Sequence, residues 1–166
     1  LRWTALDPNN RTLVGGVKAQ QAKSVADLLT AYGDNHSPTH NIVMADTQGR
    51  IAYKAAGRVP VRSPANDIRG VAPSPGWDAR YDWTGWIAYA DMPADDGKKG
   101  WVATANQRIT PPNYPHYLGQ DWITPELFDR IEQVLQAKPK HSFKDMQALQ
   151  NDTLSLSTLA LLPVLK

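Results

Sequence analysis

No part of the chain restricts its fold more than residues 100–121, Gly-Trp-Val-Ala-Thr-Ala-Asn-Gln-Arg-Ile-Thr-Pro-Pro-Asn-Tyr-Pro-His-Tyr-Leu-Gly-Gln-Asp. Trp101 and Val102 are bulky strand formers and Gly100 marks a turn before them, which predicts a strand. Ala103, Thr104 and Ala105 are small enough for another backbone or a ligand to come close, and Asn106 stands where the apolar run stops. Pro111 and Pro112 then forbid helix and central strand alike, so the chain must leave as an irregular loop. A carboxamide at such an exit is a neutral donor held on a rigid element, which is what a site stabilising a developing oxyanion requires. Strand alternation turns Gln107 to the opposite face.

Upstream, residues 1–6 alternate apolar with polar and meet Asp7-Pro8-Asn9-Asn10, which predicts a short strand and a loop. Gly15-Gly16 reads as a flexible turn. Ser24 is placed to cap a helix whose face is Val25, Leu28, Leu29 and Tyr32, with Gly33 as a left-handed terminator. Residues 41–45 and 51–55 are apolar runs separated by Asp46-Thr47-Gln48-Gly49-Arg50, the spacing of a β-hairpin with Gly49 at the positive-φ position. An aspartate that opens a turn bonds its own backbone, so Asp46 is read as a turn residue rather than a catalytic carboxylate. Glycine, proline, serine and asparagine dominate residues 63–75, which predicts a long surface excursion within one structure. Trp77, Trp83 and Trp86 follow, and an aromatic cluster beside such a loop can line a pocket for an apolar acyl chain or plug a core edge. Residues 94–99 read as a solvated connector.

Beyond the central loop, Thr124-Pro125-Glu126 has the signature of a helix start, with Leu127, Ile131, Val134 and Leu135 as its apolar stripe and Lys138-Pro139 as its end. Ser142 and Asp145 form a capping-box pattern ahead of Phe143, Met146 and Leu149, predicted to face inward. Asp152-Thr153 is placed to open a last helix whose leucines seek partners on several sides. A chain that opens on Leu1 in mid-pattern and stops after Leu-Leu-Pro-Val-Leu reads as part of something larger.

Composition narrows the chemistry. With 166 residues the chain suits one domain with a real core. A formal charge of +2 with interspersed signs gives no basic face and argues against nucleic acid and acidic membranes as partners. Zero cysteines excludes disulfides, a thiol nucleophile and thiolate metal sites. No apolar run approaches the roughly 20 residues of a membrane-spanning helix. Of the four histidines, His36, His40, His116 and His141, the first two lie four apart, but Pro38 prevents the helix that would align them and no cysteine or clustered acid completes a set, so no metal site is assigned. Nucleotide-binding loops and a serine-histidine-aspartate pattern are absent.

The Gly-aromatic-aliphatic-Ala-x-Ala-Asn run ending at Asn106, and the Tyr-Pro-x-Tyr-Leu-Gly-x-Asp-Trp run from Tyr114 to Trp122, resemble the β-subunit of the penicillin acylase family, amidases of the N-terminal nucleophile hydrolase class. The hairpin carries the same likeness, through Asn41, Ala45, Asp46, Gly49, Ile51 and Tyr53 and then Gly57, Arg58, Pro60 and Arg62. So do Leu-Arg-Trp-Thr-x-Leu-Asp-Pro at the start and the Asp-Trp-x-Gly segment at Trp83. The resemblance covers essentially all of residues 1–166. It implies an α+β piece of a four-layer αββα fold, antiparallel strands in the middle and helices toward the C-terminus. Residues 1–166 would be a single segment, central in the β-subunit, with no internal domain boundary.

By the same resemblance, Asn106 supplies half of an oxyanion hole. The nucleophile, an amino-terminal serine whose own amine is the base, lies outside this chain, and the chain alone should be inactive. The expected partners are the remainder of the acylase, its α-subunit and the rest of its β-subunit, together with a small N-acyl substrate. No cofactor is required. Many family members hold a calcium ion, so the full protein could hold one; its ligands do not map onto this sequence, with Asp121 the one candidate. Family members are exported, which makes the periplasm the expected location. The sequence departs from the family at Leu127, where a cleft arginine commonly stands, whereas Arg130 matches a later helix arginine. That departure argues against a carboxylate-bearing, penicillin-like substrate and for longer acyl chains. The rival reading is a non-catalytic binding module that keeps the scaffold and grips an apolar ligand or subunit with Trp77, Trp83 and Trp86.

Overall fold

A computed structural model describes residues 1–165. Its centre is the hairpin of β1 (His40–Ala45) and β2 (Ile51–Ala56), antiparallel and paired from Ala45↔Ile51 to His40↔Ala56. The turn is built as the sequence predicts. Asp46 Oδ1 accepts from the Gln48 and Arg50 amides, both at 3.0 Å, and Gly49 takes φ +83°. The other carboxylate oxygen of Asp46 accepts from the Val25 amide at 3.1 Å, the first residue of a helix. These amide donors, Val25 foremost, hold its carboxyl below the ordinary value.

Because side chains alternate along a strand, the hairpin presents two different faces. Met44 and Ala52 are buried with Val25 against Leu28, Leu29 and Tyr32 of α2 (Val25–Tyr32). Burying a valine such as Val25 is worth about 1.5–3 kcal/mol. Tyr53 and Ala55 look the other way, into a cluster with Val59, Ile87 and Met92 that Val102, Ile109 and Leu118 cover. The central stretch of the sequence is therefore the lid of the second face.

Ser24 caps α2 as expected, its hydroxyl accepting from Asp27 N at 3.1 Å. Gly33, however, is right-handed (φ −61°, ψ −24°). Its lack of a side chain serves packing: the Tyr89 ring lies 3.5 Å from where a Cβ would stand, and the Tyr89 hydroxyl reaches Leu29 O at 2.9 Å. Gly15-Gly16 is no turn. Both belong to α1 (Thr12–Gln21), and Gly15 is buried where α1 meets the end of α2, a Cβ there falling 3.0 Å from Ala31 O. Residues 1–6 do not make a strand either. Thr4–Leu6 is a turn of 3-10 helix, anchored by an ion pair between Asp7 and Arg58.

The chain beyond Gly57 forms a second small sheet, β3 (Pro60–Arg62) antiparallel to β4 (Trp83–Trp86), which the sequence pattern did not reveal. The connector at residues 94–99 is in part a strand, β5 (Ala94–Asp95), on the open edge of β2. Trp101 and Val102 join no sheet among the described residues. The edge of β2 is already taken by β5, and Gly97 (φ +69°) and Gly100 (φ +92°) turn the chain away from it.

Three helices follow: α3 (Glu126–Gln136), α4 (Phe143–Gln150) and α5 (Leu156–Leu161). Thr124 does not cap α3. Pro125 stands at the N-cap in helical geometry, and no side chain caps the helix there. Ser142 and Asp145 form the full capping box. Ser155, not Asp152-Thr153, opens α5, because Asp152 is held by Arg130, Nη2 to Oδ2 at 2.6 Å. Leu127 (60% exposed) and Phe143 (80%) face outward, contrary to the predicted stripes, while Ile131, Val134, Met146 and Leu149 are half-buried. No described helix is long and apolar enough to cross a membrane.

Candidate active site

Asn106 is held by side-chain bonds rather than by a strand ladder. Val102 and Ile109 pack on the Tyr53 cluster, and the chain bends between them at residues 105–107. The buried Tyr53 hydroxyl donates to Asn41 Oδ1 at 2.7 Å, and Asn41 Nδ2 donates to Thr104 Oγ1 at 3.1 Å. Burial raises the Tyr53 phenol well above its ordinary value, so it stays a donor at any working pH. A relay thus runs from the hairpin core to a position two residues before Asn106.

On the other side of the bend, Gln107 folds back, its Oε1 accepting from Ala105 N at 2.7 Å. This replaces the predicted strand alternation: Gln107 braces the bend and is not free to act elsewhere. Asn106 itself takes φ +63°, a left-handed conformation that asparagine tolerates better than most residues. Its side chain is exposed, and among the described residues no hydrogen bond engages its carboxamide. An amide so placed can offer an N–H to an oxygen outside this segment.

The tryptophans are divided. Trp83 and Trp86 lie edge to face on β4, centroids 5.4 Å apart, with Arg58 over Trp86 at 5.3 Å. With Trp3 and Leu6 they line a cavity of about 390 Å³. Trp77 is 91% exposed and takes no part in it. The sequence pattern did not single out Trp3, although the turn signal at Asp7-Pro8 that folds residues 1–6 back was the usable clue.

The remaining polar residues have local explanations. His36 Nδ1 accepts from Arg11 N at 3.1 Å, and burial lowers its pKa. Asp121 is exposed, and the described residues hold no group of three or more histidines or carboxylates that could bind a metal, so the residues present do not assemble a calcium site. Arg130 spends its guanidinium on Asp152, its Nε lying 3.2 Å from both carboxylate oxygens.

Comparison with known proteins gives this geometry a setting. The family model for penicillin amidase matches residues 1–166. The chain is 36% identical over 148 residues to an acyl-homoserine lactone acylase, QuiP, of Pseudomonas aeruginosa, covering 89% of this chain and 17% of that protein. It is likewise 36% identical over 135 residues to a penicillin acylase 2 proenzyme of Pseudomonas sp. strain SE83, covering 81% of this chain and 17% of that protein. The chain therefore spans about one sixth of the length of these curated relatives. Among solved structures, a thermostable penicillin G acylase from Alcaligenes faecalis superposes with a TM-score of 0.71 at 18% identity, over 89% of this chain and 26% of that one. That likeness shows the fold alone, an α+β portion of the N-terminal nucleophile hydrolase fold. On the match along its whole length, the chain belongs to the penicillin amidase family.

Proposed function

We propose that this chain is part of an amidohydrolase that cleaves an N-acyl carboxamide, with Asn106 as an oxyanion donor. The observation that carries the reading is the Asn106 carboxamide, exposed on a bend braced from both sides, within a Gly-Trp-Val-Ala-Thr-Ala-Asn run of the family type. A serine Oγ on a segment outside this chain attacks the substrate carbonyl carbon and passes its proton to the serine's own amine. The tetrahedral oxygen gathers negative charge and takes the Asn106 N–H with a second donor from elsewhere. The amine leaves with a proton, and water then releases the acid from the serine ester.

Acyl-homoserine lactones are the favoured substrate class, because Leu127 stands at the place of a cleft arginine and the acyl-homoserine lactone acylase likeness covers most of the chain. Trp83 and Trp86, with their cavity, are the proposed contacts for the acyl chain; Trp77 would join them only if a neighbouring segment brought it in. Periplasmic placement of the whole protein, assembly with the other acylase segments and a calcium ion held elsewhere remain part of the same proposal.

The test is kinetic. In the complete gene product, Asn106→Ala should lower kcat about 10²–10³-fold on a long-chain acyl-homoserine lactone with little change in KM. An unchanged kcat would leave the scaffold as a binding module. Faster hydrolysis of benzylpenicillin than of the long-chain lactone would overturn the substrate class alone.

A further inference from the structure

Two arginines lie against one ring. The Cζ atoms of Arg62 and Arg69 lie 5.9 and 5.4 Å from the centroid of Tyr117. Arg62 is half-buried and Arg69 exposed, yet among the described residues neither guanidinium forms an ion pair or donates a hydrogen bond. Two groups of like charge around one ring gain nothing from each other, and each guanidinium carries five donors that need acceptors. Burial lowers the Arg62 pKa from its ordinary value, with the Tyr117 phenol opposing, but the group remains charged.

The fold holds this pair deliberately. Arg62 ends β3, and Gly70 at φ +81° leaves room for its head, since a Cβ there would come within 3.0 Å of Nη2. The backbone of Arg69, itself at φ +52°, is pinned by donating to the buried Asn66 Oδ1 at 2.7 Å. Both arginines open onto a cavity of about 290 Å³ whose other walls include Ser63, Ile87, Pro115 and Tyr117. It combines a planar, doubly cationic end with apolar sides.

We propose that this cavity is a binding site for a small molecule bearing a carboxylate on an apolar tail. A carboxylate matches the guanidinium fork in shape and supplies the acceptors and the counter-charge that both arginines lack. The tail lies against Ile87 and Pro115. Tyr117 backs both cations through its face. Asn106 is not among the residues that line the cavity, and the proposal does not rest on the proposed hydrolysis.

The experiment is calorimetric titration of the complete gene product with octanoate, octanamide and inorganic phosphate. Octanoate should bind, octanamide should bind at least tenfold more weakly, and phosphate should fall below octanoate for want of a tail. Arg62→Gln and Arg69→Gln should each weaken octanoate at least tenfold, and Arg62→Lys, which keeps the charge and loses the fork, should fall between. Inhibition of hydrolysis by octanoate, which reports any acyl site, should be the same in Arg62→Gln as in the wild type. Equal affinity for octanoate and octanamide would overturn the proposal, as would equal affinity for phosphate. So would a wild type that takes up no octanoate while Arg62→Gln lowers its melting temperature, since the arginines would then be neutralised by an acidic side chain of the same protein.

Discussion

Replacing Asn41 by alanine breaks the relay that joins the hairpin core to the Asn106 bend, and the cost can be built from its parts. The Tyr53 hydroxyl is buried and has Asn41 Oδ1 as its partner at 2.7 Å, so losing it strands a donor at about 1–3 kcal/mol. Thr104 is half-buried and regains water, so that bond counts about 0.5–1 kcal/mol. Asn41→Ala should therefore destabilise by about 2–4 kcal/mol, whereas Tyr53→Phe, which leaves only a half-buried acceptor behind, should cost about 1 kcal/mol. Made in the Tyr53→Phe background, Asn41→Ala should cost about 1–3 kcal/mol less than alone, because no hydroxyl is then stranded. Urea unfolding followed by tryptophan fluorescence measures all three variants. Thr104→Val, which leaves the core pair intact, should lower kcat several-fold at unchanged KM by loosening the bend. Equal costs of Asn41→Ala in both backgrounds, together with an unaltered kcat for Thr104→Val, would refute the relay.

The paired glycines of α1 offer an internal control: a Cβ at Gly16 would meet nothing within 4 Å, so Gly16→Ala should stabilise by up to about 1 kcal/mol in urea unfolding. Gly15→Val should destabilise by about 1–3 kcal/mol, because its side chain would meet the backbone of Ala31, Asp34 and Asn35. Acid should loosen the α1–α2 corner: hydrogen bonds from Arg11 and Lys18 lower Asp34 from 3.8 to about 2. A depressed folded-state pKa gives stability that is present above the unfolded value and lost as pH falls through the folded one, so the loss lies between about pH 4 and pH 2. Asp34→Asn should flatten the unfolding midpoint in that window relative to the wild type.

Local chemistry was legible wherever a residue's task lies within a few positions of itself. Asp46 and Gly49 announce their turn, Ser24 its cap, and Ser142 with Asp145 a capping box, and all three form as read. Glycines misled because the same residue serves two purposes. Gly15 and Gly33 are small so that a helix end and a tyrosine can come close, not so that the chain can turn left-handed, and which purpose applies depends on a neighbour remote in sequence. Trp101 and Val102 have strand propensity but join no sheet among the described residues, the edge of β2 being held by β5. The pairing of β3 with β4 spans a loop that sequence pattern cannot fold. Asn106 is proposed from its neighbours in sequence, whereas the bracing of its bend, by the Tyr53–Asn41–Thr104 chain on one side and the Gln107 bond to Ala105 N on the other, depends on side chains that no sequence pattern brings together.

The carboxylate of Asp46 serves two elements at once, closing the hairpin with one oxygen and the first turn of α2 with the other. Neither can come apart without leaving donors of the other bare. The hairpin loop and the helix start should accordingly exchange their amide hydrogens as one unit, and the layer they make together is the firm footing from which the opposite face of the sheet holds out its asparagine.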